Sequence, residues 1–398
     1  MEKRSARLFS RHPLAFVLLA NALVYICPAI YTTFLSAYFT RLGFSAGRIG
    51  LLFSLSPLMY LLASPRWARL ADHSGKRSLV LAGICAGAAV SLVLLPFTRG
   101  FVSTFLVMLL LDIFVTSLVP LSDSIVLMQS RAIGIPFSTV RLGGTIGYAL
   151  VVILCGFFLR GSGRAMFPAA AFAFLLYALL ILAFPREQAA ASLPGKTKRS
   201  ASLLGMVRGM QPEFLFLLAF AFLGYTGLSV LAAYLGAFMV KLGYGHLEIA
   251  IASTISALSE IPTLLLIQRY LRKQPVHRIL FLSCAAFALR LVLVSSGTLP
   301  MIYGSSLLQS LSYMPLYYCC VTYVSAHLPD SQQSQGQSLL VLCQSGLGGM
   351  TGYLLGGQAV AAWGAAVTYR VTAVLITVFA SALYAWYLHT QRKDVHHG

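Results

Sequence analysis

Apolar residues in this chain gather into long runs, each closed by a short polar turn. Twelve runs can be drawn, at about 13–39, 46–66, 78–98, 101–127, 138–159, 165–184, 213–240, 247–267, 277–296, 299–327, 334–360 and 366–388. About 20 apolar residues in a helix cross a hydrocarbon core ~30 Å thick. Lipid offers no partners to backbone N–H and C=O groups, so each run should be a helix bonded within itself. The pattern predicts an all-α polytopic membrane protein with 12 transmembrane helices.

The pattern also repeats. Arg41-Leu42-Gly43-Phe44 is echoed 200 residues later by Lys241-Leu242-Gly243-Tyr244. Each is followed by an apolar run that ends in a basic turn, Arg69 to Arg77 in one case and Arg269 to Arg278 in the other. The separation is about half of the 398 residues, as a duplicated six-helix unit requires. The one long connection, rich in Ala, Ser and basic residues, reads as a linker. The expected organisation is therefore a bundle over 1–184, a cytoplasmic linker over 185–212 and a second bundle over 213–398. Six spans return the chain to its starting side, so the two six-helix repeats are parallel. Paired repeats embedded in lipid are the sequence mark of a transporter with its site between the halves.

Composition agrees and charge adds orientation. Mean hydropathy is +0.82, and only 10% of residues are charged, against about 25% in a soluble domain. A net charge of +19 invites a nucleic-acid reading, which fails once the charges are placed. With the N-terminus inside, the tails and inner connections hold 21 Lys and Arg, and the outer connections hold six: Arg41, Arg48, Arg99, Arg160, Arg164 and Lys241. That asymmetry is the positive-inside rule, and it puts both termini in the cytoplasm. The connection at 328–333 departs from it, with no Lys or Arg. The basic start runs into an apolar stretch too long for a signal peptide and without an A-x-A site, so it is expected to remain as the first span. All seven Cys fall in predicted spans with no C-x-x-C spacing, which suits packing and gives no metal or cofactor site. Clustered glycines, including the Gly352/Gly356 pair, suit close helix crossings.

The connection after the second span reads Ala68-Arg69-Leu70-Ala71-Asp72-His73-Ser74-Gly75-Lys76-Arg77. It resembles the G-x-L-a-D-R-x-G-R-R loop of the major facilitator superfamily, with Asp72, Gly75, Lys76 and Arg77 matching. Ala68 replaces the first Gly and His73 an Arg. Pro120-Leu121-Ser122-Asp123, Val140-Arg141-Leu142-Gly143-Gly144-Thr145-Ile146-Gly147, Ser259-Glu260-Ile261-Pro262 and Leu289-Arg290 resemble motifs of one branch. That branch holds the lactose permease-like and phenylpropionate/nucleoside proton symporters. The resemblance spans both halves and implies alternating access, with 72–77 as a gating loop.

Four charges lie deep in predicted spans: Asp112, Asp123, Glu260 and Arg290. Each costs at least about 2.5–3.5 kcal/mol on insertion scales, so each is expected to be paired, wet or functional. Asp112 and Asp123 are 11 residues apart, about three turns, and should share a face of one helix. The resemblance implies that Asp123 and Arg141 pair to grip a solute; a plain structural ion pair is the alternative. Glu260, in low-dielectric surroundings that favour its neutral form, is the first choice for proton coupling, with Arg290 and Asp112 assisting. The resemblance also implies a titratable group in the tenth span, yet 308–317 holds none below a pKa of about 10. Asn21, the only Asn, lies in a span and should bond a neighbour or the solute. Tyr25, Gln309 and Tyr313, with Tyr225 and Tyr317, recur at helical spacing as cavity-lining or packing positions. No H-E-x-x-H and no Walker loop occur, so an enzyme is not expected. The reading is a proton symporter of a small organic solute (organic anion, aromatic acid, nucleoside or sugar), monomeric, in a bacterial inner membrane. An uncoupled facilitator or efflux pump of the same fold, or a non-transporting receptor, is the alternative.

Overall fold

The computed structural model describes residues 13–135, 137–159, 161, 163–184, 212–271, 275–328 and 330–397. The expected linker over 185–212 falls almost wholly outside them. Among the described residues all regular structure is helical. The helices are α1 Pro13–Arg41, α2 Ala46–Phe53, α3 Leu55–Leu62, α4 Ser64–Ser74, α5 Arg77–Leu94, α6 Phe101–Val115, α7 Leu118–Ala132, α8 Phe137–Phe158 and α9 Met166–Leu182. They continue as α10 Pro212–Lys241, α11 His246–Leu271, α12 Val276–Ser295, α13 Leu299–Leu307, α14 Gln309–His327, α15 Asp330–Val341, α16 Gly349–Trp363 and α17 Ala365–His397. A 3₁₀ turn covers Leu95–Phe97, and a π-helical segment, Leu342–Gly348, joins α15 to α16.

Among the described residues nine stretches are long and apolar enough to cross a membrane. Of the other three predicted runs, 165–184 forms the shorter apolar α9, 247–267 lies within α11, and 299–327 is shared by α13 and α14.

Proline explains where predicted single helices are interrupted. A proline ring clashes with the carbonyl four residues before it. Pro57 thus disturbs Phe53, where α2 gives way to α3; Pro120 disturbs Thr116, between α6 and α7. The repeated turn has one construction in both places. Gly43 and Gly243 adopt φ of 81° and 88°. Phe44 N–H bonds Phe39 O and Tyr244 N–H bonds Met239 O, each at 3.0 Å. This is the six-to-one bond of a Schellman cap, which needs a left-handed residue and so favours glycine. Gly43 to Gly47 also spells G-x-S-x-G, but Ser45 Oγ accepts the Arg48 N–H and caps α2 between two helices. A nucleophile elbow needs a strand before it.

The chain divides into two compact units. Unit 1 comprises Met1–Phe44, Leu55–Gly195 and Met239–Leu258; unit 2 comprises Ser45–Ser54, Lys196–Phe238 and Ser259–Gly398. In unit 1, α1 packs on α7, α8 and α9, and α5 packs on α6 and α9. In unit 2, α12 packs on α14 and α17, and α16 packs on α2. Glycines let α16 lie against backbone in unit 2. A Cβ on Gly352 would stand 2.6 Å from Thr226 O and 2.7 Å from Ser229 Cβ. Overpacking costs about 1–3 kcal/mol even where side chains can yield, and a carbonyl cannot. Gly352→Leu is therefore expected to lower the unfolding temperature of the detergent-purified protein and its folded yield. An unchanged unfolding curve would show that α10 and α16 do not approach this closely.

Candidate functional site

In unit 1 the polar groups sit where α3, α6, α7 and α8 come together with α1. Asp112 on α6 is only 5% exposed. Its Oδ1 accepts a 2.5 Å hydrogen bond from Ser56 Oγ on α3, and its Oδ2 has no donor. The break ahead of Pro120 places Asp112 near the end of α6 and Asp123 on α7. Thr116 Oγ, bonded back to Asp112 O, satisfies that carbonyl at the break.

Asp123 Oδ2 lies 3.9 Å from Arg141 Nη1 on α8, a loose ion pair. The same guanidinium stands 5.8 Å from the centre of the Tyr25 ring on α1. Asn21, one turn earlier on α1, is fully buried, and neither amide atom has a hydrogen-bond partner. Gly144 on α8 makes room for both. A Cβ there would meet Tyr25 Cδ2 at 2.4 Å and Asn21 Oδ1 at 3.0 Å. Asn21, Tyr25, Arg141 and Asp123 therefore form one cluster in unit 1.

Unit 2 carries a second cluster. Glu260 on α11 accepts a 3.1 Å hydrogen bond from Gln309 Nε2 at the start of α14. Arg290 on α12, 4% exposed, donates through Nε to Ser305 O and through Nη1 to Ser312 Oγ, both at 3.0 Å. It also lies within electrostatic reach of Glu260. Tyr313 and Tyr317 stack on α14 with ring centres 5.8 Å apart, and Tyr225 on α10 meets Tyr313 edge-on at 6.1 Å. The π-helical segment brings Gln344 to the same unit, 4% exposed, with Nε2 unpartnered. Such widened turns recur at functional positions.

The 72–77 loop is a tight turn. Arg77 Nη2 meets Asp72 Oδ1 at 2.9 Å, and Gly75 closes α4 at φ 62°. Lys76 precedes the first turn of α5. An exposed pair of this kind adds little to stability, so its contribution is the shape of the turn.

The sequence offered no pairing for Ser56, Ser305 or Ser312, which hold the deep charges. Each is a small polar residue in an apolar window, a signal shared with many serines that only bond their own helix. Gln344, not singled out from the sequence, is an amide ahead of a glycine-rich run. Among the described residues no group of three His, Cys, Asp or Glu could hold a metal ion. The unit 1 cluster can offer an unpartnered amide to a polar solute and hold a proton on a buried carboxyl, and the unit 2 cluster can stack a planar ring on tyrosines.

Similarity to known proteins follows the same lines. The chain is 27% identical over 329 residues to the maltose permease of Geobacillus stearothermophilus, covering 82% of each chain. It is 22% identical over 333 residues to the putative nucleoside transporter YegT of Escherichia coli strain K12, covering 80% of this chain and 78% of that one. Its fold matches the crystal structure of nucleoside transporter NupG with a TM-score of 0.83 at 16% identity, over 94% of this chain and 98% of that one. It also matches a bacterial homologue of the human lysosomal transporter Spinster, with a TM-score of 0.72 at 19% identity over 96% and 98%. The model of the MFS_1 like family matches residues 23–371. The chain is an integral membrane transporter of the major facilitator type and belongs to the MFS_1 like family.

Proposed function

We propose that this transporter imports a small hydroxylated solute with a planar or pyranose ring, a nucleoside or a sugar, together with a proton. It does so as a monomer with 12 helices in two six-helix repeats, in a bacterial inner membrane with both termini in the cytoplasm. The observation that carries the reading is the carboxyl of Asp112. It is buried beside one neutral hydroxyl, with its second oxygen unsatisfied. An isolated buried carboxylate is costly, and a bound proton removes that cost. A group so placed suits a proton carrier.

The solute reading draws on different atoms. A fully buried amide with neither atom bonded costs several kcal/mol unless something occupies it. Both atoms of the Asn21 amide in unit 1 are in this state. Hydroxyls of a ribose or a hexose present the donors and acceptors they lack. The Tyr313–Tyr317 stack supports a solute with a flat apolar face. The names of the relatives, a maltose permease and a putative nucleoside transporter, point to the same two classes.

The test is uptake of labelled uridine, adenosine, maltose and lactose into proteoliposomes under an inward proton gradient. Asn21→Ala is expected to raise KM for the transported solute by about ten-fold, the loss of one hydrogen bond worth ~1.4 kcal/mol, with little change in maximal rate. A KM equal to wild type would remove Asn21 from the solute's contacts. Transport of none of the four would move the substrate to another class.

A further inference from the structure

His246 opens α11, immediately ahead of the apolar run 247–267. It is 5% exposed, and the contacts described for it, with Phe34, Arg41, Gly156 and Gly163, lie in unit 1. Arg41 Nη1, at the end of α1, lies 3.1 Å from His246 Nε2 and also donates to Gly161 O. The Phe34 ring meets the imidazole edge-on at 5.6 Å. Gly163, at φ 75°, leaves no room for a side chain, since a Cβ would sit 2.8 Å from His246 Nε2. Just behind, a Cβ on Gly156 of α8 would sit 2.4 Å from Ala250 Cβ, and Thr254 Oγ donates to Ala149 O at 3.4 Å. The first turns of α11 are thus seated on α1, α8 and the 159–165 connection, with one imidazole at the mouth of the seat.

The repeat supplies an internal comparison. Position 46, the counterpart of 246 at a spacing of 200, is Ala, and it belongs to unit 2. There α2 is seated without any imidazole or guanidinium among the contacts described. A Cβ on Gly50 would overlap Tyr353 O and Tyr234 OH, Gly47 faces the Gln358 amide, and Tyr234 OH donates to Tyr353 O. Among the contacts described, one of the two equivalent seats carries an imidazole and the other does not.

We propose that His246 is a proton-binding site on the outer side, whose protonation releases the first turns of α11 from α1 and α8. This rests on the alternating-access reading and on the charge pattern that puts Arg41 and Lys241 outside. Geometry supplies the cause: Arg41 is within hydrogen-bond distance of the ring, so the seat accepts a neutral imidazole and repels an imidazolium. Charged residues on the elements around it are Arg41 on α1, Arg141 at the opposite end of α8, Arg164 on the 159–165 connection, where Arg160 lies outside the described residues, and Lys241 and Glu248 on its own side. Glu248 Oε2 accepts the Gly245 N–H. Cations outnumber the single carboxylate.

Burial and then Arg41 lower the pKa of the seated imidazole from 6.5 to about 4. A base with a lowered value in one state makes that state favoured at high pH. The seat is therefore fully favoured above pH 6.5 and is weakened as pH falls from there toward 4. Between pH 7.5 and 5.5 the linkage relation gives about a ten-fold shift toward release. Outside acid would open this seat, the sense an importer driven by inward protons requires.

The experiment places a cysteine at Thr254, whose hydroxyl faces α8, in the full chain in nanodiscs with its seven native cysteines retained. Labelling by a membrane-impermeant maleimide is read at residue 254 by peptide mass, in the His246 and His246→Gln forms at each pH. Comparison at equal pH cancels the pH dependence of the thiol. The ratio of the two rates is expected near one at pH 7.5 and to rise toward about ten-fold at pH 5.5. Arg41→Gln, which removes the repelling cation, should show a smaller rise, and it keeps the test available if His246→Gln does not fold. A ratio that stays constant with pH, or equal rises in wild type and both variants, overturns the proposal. The readout needs no solute and no flux, so a seat that opens as described in a protein without proton-coupled uptake would sink only the symport reading.

Discussion

Asp123→Asn and Arg141→Gln are each expected to reduce solute uptake by about 30-fold or more while the protein still folds and purifies. A solute hydrogen bond to a charged group is worth about 1.5–3 kcal/mol, and a middle value of ~2 kcal/mol is about 30-fold. The pair is loose at 3.9 Å, and Arg141 also faces Tyr25 beside the unbonded amide of Asn21. A purely structural ion pair makes a different prediction. If the two charges matter only to each other, neutralising both restores compensation, and the double variant should regain most of the uptake. If they grip the solute, the double variant stays inactive. Uptake and circular dichroism on the three proteins decide between these.

Glu260→Gln is expected to separate exchange from accumulation. Glu260 accepts from the neutral Gln309 amide and lies in reach of Arg290, which is itself held by Ser305 O and Ser312 Oγ. Arg290 thus has its own anchors and can stay in place while Glu260 gains and loses a proton. Gln keeps the shape and the capacity to bond Gln309 but cannot carry a proton. Counterflow of unlabelled against labelled solute should persist. Concentrative uptake should fall to an inside-to-outside ratio of about one, whereas one coupled proton per solute gives about ten-fold accumulation per pH unit. Full uphill transport by this variant would remove Glu260 from the coupling step.

Much of the fold was legible because its signals are local. A run of apolar residues, the Gly43 and Gly243 turns and the Asp72–Gly75–Arg77 loop each depend on neighbours within a few positions. Pro57 and Pro120 were visible too. Reading 101–127 as one uninterrupted helix missed the two-residue break at Thr116 and Ser117 that puts Asp112 on α6 and Asp123 on α7. The Asp123–Arg141 proximity came from resemblance rather than from spacing. Contacts made across the fold left no local trace. Ser56 holds Asp112, Gln309 holds Glu260, and the first turns of α11 pack into unit 1. Each depends on which helices become neighbours, and apolar runs of equal length carry little information about that choice. The π-helical turn before α16, Leu342–Gly348, has no sequence signal beyond its glycines.

Proton movement with solute is the property on which this reading stands. The most direct measurement uses proteoliposomes that enclose a pH-sensitive dye, with uridine or maltose added outside at equal pH on both sides. Acidification of the lumen on adding solute, present in wild type and absent in Asp112→Asn and Glu260→Gln, is the predicted result. Entry of the labelled solute at equal rates in all three proteins, with no change in dye signal, would contradict it and make the protein an uncoupled facilitator.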